Sequence, residues 1–181
     1  MNTATQNLED DHVFILRLID IMEAMIQQNC TNTDHLELAV NLIRKFADGF
    51  HHAKEEKLLF PLMITKGFSD KQGPVALMLS EHELGRMYTG EMSKNIELAK
   101  QGHTTVFIKI YTTMKNYSNL LRNHIAKENN VLFRMADQVL SAVEQQNLLS
   151  DFAEAEKIAD PEYNSENSIA KINNLAAFYL Q

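Results

Sequence analysis

Two ten-residue stretches of the chain repeat one phrase that places a histidine four residues before a glutamate. HHAKEEKLLF covers residues 51–60 and HIAKENNVLF covers residues 124–133, and both follow the pattern H-x-A-K-E-x-x-x-L-F. In an α-helix, residues four apart lie on nearly the same face, about one turn apart. Each phrase therefore presents an imidazole and a carboxylate together, which are ligands that suit iron, manganese, zinc or copper.

The surroundings of these histidines predict that they point into a protein core. On one helical face, His124 and Glu128 lie in an apolar stripe that we expect to include Val131. His12 and His82 lie in similar stripes on two other predicted helices. A charge buried in a core costs on the order of several kcal/mol unless it is paired or binds a metal. The polar set therefore needs a common partner, and the core of a helical bundle is where facing helices build metal sites.

A choice arises on the second predicted helix, which carries two adjacent histidines. Both His51–Glu55 and His52–Glu56 have the four-residue spacing. The repeated phrase aligns the first pair with His124 and its glutamate, and His51 is also nearer to the apolar face. We therefore expect His51 and Glu55 to face the core, with His52 and Glu56 in the surroundings of the site or on the surface. The alternative is that this turn supplies an additional metal ligand.

The resulting set predicts a pair of metal ions. The candidate ligands are His12, His51, Glu55, His82, His124 and Glu128. Six side chains are too many for one tetrahedral zinc ion, and two carboxylates that can each bridge indicate two metals a few ångströms apart. We expect two non-haem iron ions (Fe2+/Fe3+), joined by an oxo or hydroxo bridge, with open positions for a small oxidant.

Four long helical segments must position these ligands. Apolar residues recur at spacings of three and four, which predicts helices over about 5–29, 34–60, 74–100 and 104–143, with Asp34 capping the second. Two shorter helices follow, broken near Pro161. Short connections imply antiparallel neighbours. The predicted fold is all-α, an up-down-up-down four-helix bundle with two short C-terminal helices packed outside. We divide it into a bundle over residues 1–145 and a helical extension of the same domain over residues 146–181.

Composition narrows the class of partner. The formal net charge is −7, whereas binding to nucleic acid needs a basic face. The N-terminus lacks a signal-peptide pattern, and no apolar run approaches the roughly 20 residues that span a bilayer. One cysteine, Cys30, allows no disulfide within the chain and no thiolate cluster. We therefore expect a cytoplasmic protein with no nucleic-acid or membrane partner.

The combined motifs resemble the haemerythrin-like (HHE cation-binding) family. The resemblance rests on Asp11-His12, on HHAKEEKLLFP, on SEHE around His82 and on HIAKENNVLF. It implies a four-helix bundle around a non-haem di-iron site in which Glu55 and Glu128 bridge the irons. It further implies that His12 and His51 serve one iron, and that His82 and His124 serve the other.

One departure from the oxygen-carrying haemerythrins shapes the expected function. Those proteins have a fifth histidine four residues from the ligand on the third helix, but here the two such positions hold Met78 and Arg86. The set is more similar to iron-centre repair proteins of the nitrosative-stress response. The resemblance implies a di-iron protein that reacts with or senses a small diatomic or peroxide ligand: O2, H2O2 or NO. The alternatives are iron storage or donation for repair of iron–sulfur centres, and a bundle without metal.

Several neighbouring polar residues are open to more than one interpretation. Tyr117 shares the face of His124, and we expect an ordinary core tyrosine; the alternative is a hydrogen bond to a bound oxidant or ligation of iron. Glu81 and Glu83 flank His82, and we expect both in solvent. Arg86 either pairs with a ligand carboxylate or a helix-end group, or points to solvent. His35 and His103 are expected on the surface.

Overall fold

All regular secondary structure in the described residues is helical. The computed structural model describes residues 3–158 and 160–181, and no strand occurs within these ranges. The predicted all-α class is therefore confirmed. The α-helices are α1 (Ala4–Gln27), α2 (Thr33–Leu42), α3 (Phe60–Thr65), α4 (Gly73–Lys100), α5 (Phe107–Lys127), α6 (Phe133–Val139), α7 (Ala142–Lys157) and α8 (Ser165–Tyr179).

Two pairs of these helices are joined by π-helical turns instead of loops. Ile43–His52 and Glu55–Leu59 connect α2 to α3, and Glu128–Leu132 connects α5 to α6. Phe60 and Phe133 each donate their backbone N–H to the carbonyl oxygen five residues earlier. Such a bond admits one extra residue into the turn, and π-helical turns occur frequently at functional sites. Both copies of the repeated phrase thus contain the same local widening.

The widened turns change which residues face the core. Beyond Glu128, a regular α-helical period would bring Val131 inward, but Val131 is 48% exposed and Leu132 is buried instead. Ala136, one turn further, is also buried. The expectation that Val131 continues the apolar stripe is therefore wrong, because the π-helical turn moves the inward face by one residue.

Three predicted helix boundaries need correction. The cap of α2 is Asn32, whose side chain accepts from the backbone N–H groups of the next residues, and not Asp34. The fourth predicted helix begins with a 3₁₀ turn, Thr104–Val106, and ends at Val139 instead of 143. There Ser141 caps α7 through a reciprocal capping box with Glu144, and this local signal stops the longer helix.

The long helices surround two apolar clusters. Helix α4 packs against α5 and α2, and α1 packs against α5. Along each long helical segment, the candidate metal ligands lie between residues of one cluster and residues of the other. One cluster includes Ile15, Phe50, Met92 and Leu121, and the second includes Leu8, Leu59, Met78 and Leu132.

The C-terminal helices contact the first two helices. Helix α7 packs against α1, and α8 packs against α1 and α2. The Tyr179 hydroxyl lies 3.0 Å from Cys30 Sγ and 2.7 Å from His35 Nδ1, so His35 is not the free surface residue that the sequence suggested. The break near Pro161 is present as a short 3₁₀ turn. The division between residues 145 and 146 stays a prediction. Among the described residues, no helix has the length and apolar character needed to cross a bilayer.

Candidate metal centre

The structure brings the six predicted ligands together in the interior. His12 and His51 approach through their Nε2 atoms at 2.9 Å, and His82 and His124 do so at 3.1 Å. All four histidines are at most 1% exposed, and the two glutamates are fully buried. Four helical segments that are distant in sequence therefore place two pairs of imidazole nitrogens in one interior layer.

Each glutamate extends one carboxylate oxygen toward each histidine pair. Glu55 Oε1 lies 3.7 Å from His51 Nε2, while its Oε2 lies 3.5 Å from His82 Nε2. Glu128 Oε2 lies 3.3 Å from His12 Nε2, while its Oε1 lies 3.1 Å from His124 Nε2. None of these four oxygens has an aligned hydrogen-bond donor among the described residues. Buried carboxylate oxygens without hydrogen-bond partners destabilise the folded state unless a cation binds them.

The contacts of each histidine's Nδ1 atom determine whether the Nε2 atom of the same ring carries a proton. In all four histidines, Nδ1 contacts an oxygen of another helical segment, and a carbonyl or carboxylate oxygen there can only accept. The Nδ1–oxygen contacts are His12 with Asn129 (2.7 Å), His51 with Asp11 (3.3 Å), His82 with Glu56 (2.7 Å) and His124 with Glu81 (2.9 Å). In neutral imidazoles this leaves each Nε2 as a bare lone pair. Two facing lone pairs about 3 Å apart repel, whereas both can coordinate a metal ion.

Charge balance favours the same interpretation. Burial, followed by the neighbouring Glu128 carboxylate, raises the pKa of Glu55 well above its ordinary value. Burial also acts to raise the pKa of Glu128, but in the metal-free protein the positive charge of His124, with hydrogen bonds from the neighbouring imidazoles, outweighs it and lowers this pKa. A bound cation would replace that proton and leave the Nε2 lone pair for coordination. The protein alone therefore does not readily carry both negative charges. Bound divalent cations would compensate them, so the residues present fit a metal pair.

Comparison with known proteins agrees with the geometry. The sequence profile of the Hemerythrin HHE cation binding domain matches residues 3–136. The chain belongs to this family. No solved structure gave a significant match.

Curated relatives of this HHE domain include an uncharacterised protein and iron-sulfur cluster repair proteins. An uncharacterised protein of Mycobacterium tuberculosis is 22% identical over 177 residues, which cover 96% of this chain and 69% of that protein. The iron-sulfur cluster repair protein YtfE of Cronobacter sakazakii is 37% identical over 93 residues, and its Escherichia coli counterpart is 36% identical over the same length. These matches span 48% of this chain and 40% of the repair proteins.

Lysine and arginine side chains hold the outer partners of the HHE domain's histidines. Lys54 Nζ lies 2.5 Å from Asp11, and Lys127 forms the matching ion pair with Glu81. Glu81 is therefore not the solvated residue that we expected, because it joins His124 to Lys127. Arg86 pairs with Asp48, Glu56 and Glu83, and not with a ligand carboxylate. Of the two glutamates that flank His82, only Glu83 is as solvated as predicted, with 70% of its side chain exposed.

The centre is built from two similar halves. Residues of α1 correspond to residues of α4 at an offset of 70, and the first repeated phrase corresponds to the second at an offset of 73. Corresponding residues make corresponding contacts. The pairs are Asp11 with Glu81, His12 with His82, His51 with His124, Lys54 with Lys127, Glu55 with Glu128, and Glu56 with Asn129.

The structure also places His52 at the centre, where sequence reasoning did not. His52 is 5% exposed, and its ring stacks on that of His82 with centroids 3.8 Å apart. Potential ligand atoms lie within 4.8 Å of one another in two groups, which share Glu55. One group is His12, His51, Glu55 and Glu128, and the other is His52, Glu55, His82 and His124. The π-helical segment that contains both adjacent histidines lets both face inward, and an α-helical period does not anticipate this.

A small cavity adjoins the second group only. It has a volume of about 10 Å³ and is lined by His52, His82 and His124, among others, together with Gly85 and Tyr117. This is close to the smallest space that holds one water molecule. Tyr117 is buried as expected, and burial raises the pKa of its hydroxyl. No hydrogen bond joins this hydroxyl to a described residue, and Tyr117 is one of the residues that line the cavity.

Proposed function

We propose that this HHE domain is a di-iron protein that reacts with or senses O2, H2O2 or NO. One observation carries the proposal. Four buried carboxylate oxygens without aligned donors face two pairs of Nε2 atoms. The four long helical segments would form an up-down-up-down bundle around the two ions. His12, His51, His82 and His124 would hold them, and Glu55 and Glu128 would bridge them.

Two ions fit the ligand set better than one. Each carboxylate reaches both histidine pairs, with nitrogen–oxygen distances of 3.1–3.7 Å. A single ion would leave one pair of facing lone pairs without a cation. The donor set of imidazoles and carboxylates, without thiolate, suits iron. Two ferrous ions would supply electrons to a small oxidant such as O2 or peroxide.

The size of the cavity supports a small reaction partner. A space of about 10 Å³ beside His82 and His124 admits a diatomic molecule or peroxide more readily than an organic substrate. Tyr117 offers a hydroxyl there as a hydrogen-bond donor, and the apolar clusters on either side of the centre exclude bulk water. The chain's own contribution is therefore to hold the ions, orient the histidines and limit access.

Iron donation for repair of iron–sulfur centres is the second candidate. It is supported by the similarity to the iron-sulfur cluster repair protein YtfE, which covers about half of this chain. Donation requires iron that leaves the centre readily and a recipient protein. Reaction with a small oxidant requires iron that stays bound while its oxidation state changes. Retention of iron during turnover therefore separates the two functions.

Anaerobic reconstitution with Fe(II) followed by iron counting tests the proposal. We expect about two irons per chain and, after oxidation, near-ultraviolet absorption typical of bridged ferric pairs. Glu128→Ala should lose this absorption and most of the iron, whereas Glu91→Ala, on the exposed face of α4, should keep both. Retention of two irons by Glu128→Ala would contradict the proposal. Exposing the loaded protein to peroxide or NO, and separately to a cluster-free acceptor protein, then distinguishes reaction from donation.

A further inference from the structure

The two halves of the centre differ at three positions that lie beside the ligands. In the half that contains His82 and His124, these positions are polar and contact one another. At the same offsets of 70 and 73, the other half has apolar residues. The corresponding pairs are Asp48 with Leu121, His52 with Ile125, and Arg86 with Leu16. Three coordinated differences within an otherwise repeated arrangement indicate a specific addition to one half.

The added residues form a chain of contacts that ends at the centre. Arg86 donates to Asp48 from Nε at 2.9 Å, and Asp48 Oδ1 lies 3.3 Å from His52 Nδ1. His52 in turn stacks on His82 and approaches His124 edge-on, with ring centroids 5.6 Å apart. The Asp48 carboxylate can only accept at Nδ1. His52 therefore presents its Nε2 lone pair inward, as the four predicted histidine ligands do.

We propose that His52 is a third histidine ligand of one metal ion, so that the two ions are held unequally. This inference rests on the proposed di-iron function. One ion would have His12 and His51, and the other would have His52, His82 and His124, with the two glutamates shared. The ring is 5% exposed, and its potential ligand atom lies within 4.8 Å of those of Glu55, His82 and His124. In the oxygen-carrying haemerythrins, the fifth histidine comes from the third helix, where this chain has Met78 and Arg86. In this chain, the additional histidine would come from the segment that contains His51 and Glu55.

The alternative is a core histidine that contributes only its ring. Stacking on His82 would explain the burial of His52, and phenylalanine can replace a stacked ring. Stacking does not explain why a carboxylate orients Nδ1, or why that carboxylate is itself held by an arginine. A ligand needs this orientation, because the hydrogen bond at one ring nitrogen fixes the tautomer and direction of the other. His52→Phe therefore separates the two roles.

The test combines iron affinity with Mössbauer spectroscopy of anaerobically loaded protein. The wild type should bind two irons and show two quadrupole doublets of equal area. In His52→Phe, one doublet should change while the other persists, and one iron should bind at least roughly 10–100-fold more weakly in a chelator titration. Asp48→Leu, which introduces the residue of the other half, should weaken the same iron by roughly tenfold. Far-ultraviolet circular dichroism of the metal-free variants controls for folding.

The outcomes distinguish this inference from the proposed function. If His52→Phe and Asp48→Leu both retain two irons with wild-type affinity and both doublets, His52 is not a ligand, although the di-iron proposal stands. If the wild-type protein binds fewer than two irons, the di-iron proposal fails and the unequal pair fails with it. If His52→Phe does not fold, Asp48→Leu decides: an unchanged second iron overturns the inference, and a selectively weakened one supports it.

Discussion

The two halves of the centre share their ligands and differ in what surrounds them. Both halves contain a lysine, an acidic residue and a histidine in one chain of contacts: Lys54–Asp11–His51 in the first and Lys127–Glu81–His124 in the second. At the positions that correspond to Arg86, Asp48 and His52, the chain has Leu16, Leu121 and Ile125. The second half carries Asp48, His52 and Arg86 and adjoins the small cavity.

From this difference we infer that metal binding and reaction with small molecules would depend on different residues. The residues common to both halves hold and orient the inward imidazoles, so the proposed metal pair would depend on them. The residues that differ line the small cavity beside His82 and His124. We therefore expect substitutions of residues that both halves share to change metal content or stability. Substitutions of residues that differ between the halves should change the difference in affinity between the two ions, or the rate at which small molecules reach them.

The largest expected effect is the loss of one metal ion from one half. His12→Ala should reduce the iron count from two to about one, and His82→Ala should do the same for the other ion, because each removes a single inward Nε2. Iron counting and Mössbauer spectra of the loaded variants check this, with the exposed His103→Ala as a control. Loss of both irons in each variant would show that the halves do not bind independently.

A second comparison concerns the two matched lysines. Lys54 has 3% of its side chain exposed and Lys127 has 37%, although both pair with the acidic partner of a histidine. Breaking a buried ion pair costs about 3–5 kcal/mol because it strands a charge. An exposed pair contributes about 0–1 kcal/mol. Lys54→Met should therefore lower the free energy of unfolding far more than Lys127→Met, as measured by denaturant titration of metal-free protein. Equal losses would contradict the different burial of the two pairs.

A third comparison concerns the cavity, where Gly85 stands at the position that Ile15 occupies in the other half. A methyl group on Gly85 would lie 3.5 Å from the Tyr117 ring, which is ordinary contact, and would fill part of the space. Gly85→Ala should leave two irons bound but slow the reaction with NO or peroxide roughly tenfold, a barrier increase of about 1.4 kcal/mol. Stopped-flow rates at matched iron content test this. An unchanged rate would mean that small molecules enter elsewhere.

The smallest expected effect lies away from the centre, at the start of α7. Lys66, followed by the backbone and hydroxyl of Ser141, lowers the pKa of Glu144 from about 4.5 to about 2. Because the folded-state pKa is depressed, this contribution is present above about pH 4.5 and is lost as the pH falls toward 2. The side chain is 26% exposed, so solvent screens the interaction and the effect is small. Melting temperatures of metal-free wild type and Glu144→Gln should differ slightly at pH 7 and converge near pH 2. A difference that is independent of pH would exclude the charge as its cause.

Much of the centre could be predicted from the sequence because helical spacing links residues directly. A histidine and a glutamate four residues apart within an apolar stripe must face the core together. The same reasoning placed His12 and His82 inside from single positions. It failed for Val131 and His52, because no residue pattern indicated the π-helical turns that shift the inward face. It also failed for Glu81, whose partner His124 lies 43 residues away.

By itself, the sequence determined that the chain is helical and that four histidines and two glutamates lie on apolar faces. Local periodicity contains this information, because burial of a helical face depends on residues within a few turns. Only the tertiary structure decided which nitrogen of each imidazole points inward, because the oxygens that orient Nδ1 come from other helical segments or, for His52, from a π-helical turn. It also decided that the two halves are unequal, because that depends on Arg86 of α4 meeting Asp48 across a helix interface.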